Sequence, residues 1–123
     1  MAKGNELATF AMTSTSATFR PGPAGAVITA VNWEGTATGG FGAVLGTAEF
    51  VGGNSGTLSY CGASYLDDGG QLYLNGSGDY ESTGQHRWKT TLILDFSDGS
   101  RILGEGEIDL AARTWNGKVY SWV

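Results

Sequence analysis

The sequence predicts an all-β chain: one domain over residues 1–123, built as an eight-stranded antiparallel up-and-down barrel with little or no helix. Three observations lead there. Extended runs alternate with glycine-rich breaks, and no stretch shows helical periodicity. The breaks are short, which only antiparallel neighbours can use. Several runs are long for a sandwich strand, which favours closure of the sheet upon itself.

Strands are expected near 6–19, 26–38, 41–51, 56–66, 71–81, 85–96, 100–114 and 118–123. The breakers are Pro21–Gly25, Gly39-Gly40, Gly52–Ser55, Asp68–Gly70, Ser82–Gly84, Ser97–Gly99 and Asn116-Gly117. The first two strands are poor in charge, since residues 7–48 carry only Arg20 and Glu34. A turn at Gly39-Gly40 sets Trp33 opposite Gly46, and with Trp33 inward both Glu34 and Glu49 fall outside. Asp68–Gly70 pairs Gly62 with Gly76 and Tyr60 with Gly78. Ser82–Gly84 pairs Asp79 with Arg87, Leu74 with Leu92 and Tyr80 with His86. Ser97–Gly99, as a three-residue hairpin with a left-handed glycine, pairs Asp95 with Arg101, Lys89 with Glu107 and Arg87 with Asp109 outside, and Leu94 with Ile102 and Trp88 with Ile108 inside. Opposite charges thus meet on one face while apolar residues meet on the other. Asn116-Gly117 is the strongest short hairpin signal and pairs Leu110 with Val123. It also leaves Trp115, Tyr120 and Trp122 on an outer face.

Composition narrows the function. The chain has 123 residues, a net charge of −5, 41% hydrophobic residues and 21 glycines. Collagen and disorder are excluded, and nucleic acid is not an expected partner without a basic face. The single cysteine, Cys61, cannot form an internal disulfide, and no cluster has zinc-ligand spacing. No cofactor or metal is expected. No apolar run reaches membrane length and the N-terminus lacks a hydrophobic signal region, so a cytoplasmic location without a membrane partner is expected and the sequon Asn75-Gly76-Ser77 has no meaning. The charge-poor early strands suggest a homo-oligomer, most simply a dimer, joined through the N-terminal strands.

The inward layers carry the candidate site. One is small: Gly46, Gly62, Gly76, Thr90 and Gly106, with Trp33 at its end. The next holds Ala48, Tyr60, Gly78, Trp88 and Ile108. A third, toward one mouth, holds Phe50, Leu58, Tyr80, His86, Leu110 and Val123. The glycines either open a cavity for a small apolar ligand or relieve crowding where aromatic rings lie flat. His86, the only histidine, beside the Tyr80 phenol could move a proton near neutral pH, or it is an ordinary rim residue. Tyr60, Trp88, Trp33, Leu58 and Leu110 are the expected ligand-binding walls.

The glycine-rich strand ending in tyrosine, Gly76-Ser77-Gly78-Asp79-Tyr80-Glu81, set in such a barrel, resembles the allene oxide cyclase-like and dirigent-like barrels of the calycin-like class. The likeness is one of pattern over residues 26–123. It implies action on small hydrophobic compounds, by a cofactor-free cyclisation or isomerisation in a shaped cavity or by binding alone, often within an oligomer. Three functions follow for testing: such an enzyme with His86 and Tyr80 as catalytic residues, a carrier or sensor, and a filled structural barrel.

Overall fold

In a computed structural model, which describes residues 2–123, eight antiparallel strands close into a barrel in sequence order. They are β1 (Lys3–Pro21), β2 (Val27–Ala37), β3 (Gly42–Gly52), β4 (Ser55–Tyr65), β5 (Gln71–Gly84), β6 (Arg87–Phe96), β7 (Arg101–Asp109) and β8 (Thr114–Trp122). A single turn of 3-10 helix at Pro23–Gly25 is the only helical element among the described residues. No helix there is long and apolar enough to cross a membrane.

The β2–β3 and β6–β7 registers are those the sequence predicts: Trp33 faces Gly46, Asp95 faces Arg101, and Trp88 faces Ile108. Gly39 and Gly99 take the positive φ values of 72° and 91° that their turns require. Three other registers differ. Tyr60 lies opposite Gly76 and Gly62 opposite Leu74, two residues from expectation. β5 runs on to Gly84 and turns at Gln85-His86, so Tyr80 faces Thr90, Asp79 faces Thr91 and Leu74 faces Phe96. His86 itself takes the left-handed conformation (φ 56°), which histidine tolerates better than most residues.

The largest correction is at β7–β8, where Asn116 and Gly117 lie inside β8 and the chain turns over 110–113 instead. The Asp109 carboxylate accepts the Ala111 amide (3.1 Å) and the Ala112 amide (3.4 Å), organising that turn from its first residue. Leu110 then sits exposed in the turn and pairs with no β8 residue. Trp115, expected outside, becomes the centre of the core at 1% exposure.

A bulge at Thr15 shifts the β1–β2 register. Inward positions therefore switch from Ala8, Phe10, Met12 and Ser14 before it to Ala17 and Phe19 after it, opposite Val31 and Thr29. β8 reaches along β1 only as far as Thr13, so the β1–β2 ribbon rises past the closed part of the barrel. On the outer face Arg101–Asp95 (2.6 Å), Lys89–Glu81 (2.8 Å) and Arg87–Asp109 (3.3 Å) pair, while Asp79 joins none of them. Each exposed pair contributes about 0–1 kcal/mol. Glu34 is exposed, and Glu49 pairs with Arg20 (3.1 Å).

The small-residue layer is occupied. Tyr60 lies across Gly46 and Gly62, and Phe10 and Trp115 lie against Gly106. Trp115 meets Trp33, Tyr60 and Phe10 edge to face, with ring centroids 5.2, 5.9 and 6.0 Å apart. Its indole N–H donates to the buried Thr90 hydroxyl at 3.0 Å. Gly46, Gly62 and Gly106 thus make room for rings, whereas Gly76 lies against the β6 backbone, and the lumen is plugged at mid-height.

Candidate functional site at one mouth of the barrel

Above the aromatic plug, a cavity of about 600 Å³ opens at the mouth formed by the ends of β1, β3, β5 and β7. Its apolar wall comes from Phe19, Val31, Trp33, Phe50, Trp88 and Ile108. Ser14, Thr15 and Ser16 of the bulge, Asp109, Leu110 and Arg113 edge it. The opposite mouth is stoppered: Phe41 packs on Phe96 with centroids 5.7 Å apart, and the Ser64 hydroxyl donates to the Phe41 carbonyl at 2.6 Å.

Of the residues expected at a site, Trp33, Trp88, Tyr80 and Leu110 come together around this cavity. Leu58 and Tyr60 do not line it. Leu58 is buried opposite Phe50, and Tyr60 belongs to the plug. Burial pushes the Tyr60 phenol up to about 12. His86 is exposed in the β5–β6 turn, holds the Leu110 amide through its carbonyl (3.1 Å), and is not part of the lining. It does not meet Tyr80, which sits six residues back on the other arm of the hairpin, facing Thr90.

Tyr80 stands edge to face with Phe50 at 5.4 Å and donates its hydroxyl to the Gly53 carbonyl at 3.2 Å. Burial also raises its pKa. A protonated phenol tied to a carbonyl closes a wall and is a poor proton acceptor. The indole N–H groups of Trp33 and Trp88 are buried with no hydrogen-bond partner and present no surface to the cavity.

Sequence reasoning missed Phe19, Val31 and Arg113. Phe19 is hidden by the bulge in β1, which no glycine marks, whereas Val31 shares the inward parity of Trp33 on the unbroken β2. Arg113 is hidden by the Asn116-Gly117 signal, which draws the turn away from it. No group of His, Cys, Asp or Glu side chains among the described residues converges as a metal site. Cys61 is exposed on the outer face.

No family model, curated protein or solved structure matches the chain.

Proposed function

We propose that this protein binds a small hydrophobic or aromatic molecule in the mouth cavity, as a carrier or sensor without chemical turnover. The observation that carries this is the pairing of about 600 Å³ of space with a largely apolar and aromatic wall. Both size and lining are those of small-ligand sites, where apolar surface supplies affinity and a few polar groups fix orientation. The aromatic plug beneath gives the pocket a rigid floor, which lowers the ordering cost of binding. Cofactor-free isomerisation or cyclisation is the less favoured reading, because His86 and Tyr80 do not share the cavity. Membership among the allene oxide cyclase-like and dirigent-like barrels belongs to the same proposal, supported by the closed eight-stranded meander.

The test is titration with a panel of neutral, naphthalene-sized compounds while following tryptophan emission, since Trp33 and Trp88 line the space. At least one compound shifts or quenches the emission, and Val31→Phe, which fills part of the cavity, weakens it by roughly tenfold or more. A panel that changes nothing overturns the reading.

Dimerisation through β1 and β2 is proposed separately, supported by the exposed side chains of Leu7 and Val27. Light scattering at micromolar concentration reads it, and a monomer there removes it.

A further inference from the structure

One cation at the edge of the cavity stands apart from the others in the chain. The chain carries seven lysines and arginines. Six of them (Lys3, Arg20, Arg87, Lys89, Arg101 and Lys118) stand in ion pairs with carboxylates. Among the described residues Arg113 alone does not, although the protein is acidic, and Arg113 edges the cavity. Its guanidinium makes one hydrogen bond, to the Leu110 carbonyl, and the remaining N–H groups of that fork are uncommitted.

The other charge at this rim is partnered, though it shares Arg87 with Glu107 (3.4 Å). Asp109 accepts from Arg87 at 3.3 Å and from two turn amides. Tyr80, the remaining hydroxyl in the aromatic wall, has its own donor placed on Gly53.

Arg113 also sits in the left-handed region at φ 60°. Glycine would occupy that position without strain, so the sequence keeps an arginine where the turn itself favours none.

We infer that the cavity takes an anionic amphiphile: a compact apolar or aromatic body bearing one carboxylate, which the uncompensated Arg113 guanidinium receives at the rim. This rests on the ligand-binding reading above and adds to it the charge and polarity of the ligand. The carboxylate supplies the acceptors that the Arg113 guanidinium lacks, and the fork of Arg113 suits its planar geometry.

The probes are 2-naphthoate and its neutral, nearly isosteric amide, 2-naphthamide, titrated at pH 7 against the whole protein by calorimetry. The expected ratio of affinities is roughly tenfold in favour of the acid, the scale of one partly exposed charge-assisted contact. In Arg113→Gly, which suits the left-handed turn and so keeps the fold, the ratio falls to about one. Arg113→Lys keeps most of the preference, because charge is retained without the fork. An amide that binds as well as the acid, or an acid preference that survives Arg113→Gly, overturns the inference while leaving the ligand-binding reading in place. Failure of both probes to bind overturns the two together.

Discussion

Trp115→Ala is expected to cost about 3–5 kcal/mol of stability, the range for truncating a large buried aromatic. Trp115 is 1% exposed and touches Trp33, Tyr60 and Phe10, and its N–H is the donor to Thr90. Removing the ring empties the middle of the barrel and leaves the Thr90 hydroxyl with only its bond to the Gly106 carbonyl (3.3 Å). Urea unfolding followed by far-ultraviolet circular dichroism reads the loss, with Trp122→Ala as the comparison. Trp122 is only half-buried on the outer face, so its loss costs far less. The experiment also separates two registers. A hairpin at Asn116-Gly117 would put Trp115 outside, and its truncation would then be nearly neutral. A change below about 1 kcal/mol, the centre of ordinary point-mutant effects, would rule out a core centred on Trp115.

A second large effect comes from adding one methyl group to β5. A side chain at Gly78 would run into the Thr91 carbonyl oxygen and come within 3.0 Å of the Leu92 Cα. Backbone on the neighbouring strand cannot swing aside as a side chain can, so Gly78→Ala forces β5 and β6 apart and costs about 3 kcal/mol. Gly104→Ala is the same chemical change with the opposite expectation. Gly104 is buried on β7, yet a methyl there meets no atom within 4 Å. It fills space and restricts the unfolded chain, raising stability by up to about 1 kcal/mol. Paired thermal melts decide the matter: equal shifts for the two variants would show that close strand approach does not distinguish these glycines.

Much of the fold is legible in the sequence because charge and apolarity alternate with period two. That alternation fixes which face each residue of β6 and β7 takes, and Gly99 marks their turn. Axial position is harder to read. The β4–β5 and β5–β6 registers differ from expectation by two and four residues, and because both shifts are even, Tyr80, Trp88 and Leu92 still point inward. A serine-threonine-glycine run resembles a turn, whereas the actual turn uses a left-handed histidine that no local pattern announces. At β7–β8 an aspartate side chain capping its own turn, together with burial of Trp115, outweighs an Asn-Gly pair that reads as a hairpin in isolation. The site suffers most from these slips. Parity suffices to bring Trp33, Trp88 and Tyr80 to the interior, but the height of each along the axis decides which of them share a cavity. His86 moves to a turn, Tyr60 moves into the plug, and Arg113 arrives from a segment read as strand.

The stack of Trp33, Tyr60 and Trp115 across the lumen, with Phe41 and Phe96 closing the far end, makes the barrel a cup and not a pipe. Anything that settles inside must leave by the way it came, past the β1–β2 ribbon and the 110–113 turn. On the ligand-binding proposal, arrival and departure would share one gate, and the rim that selects a guest would also set its residence time.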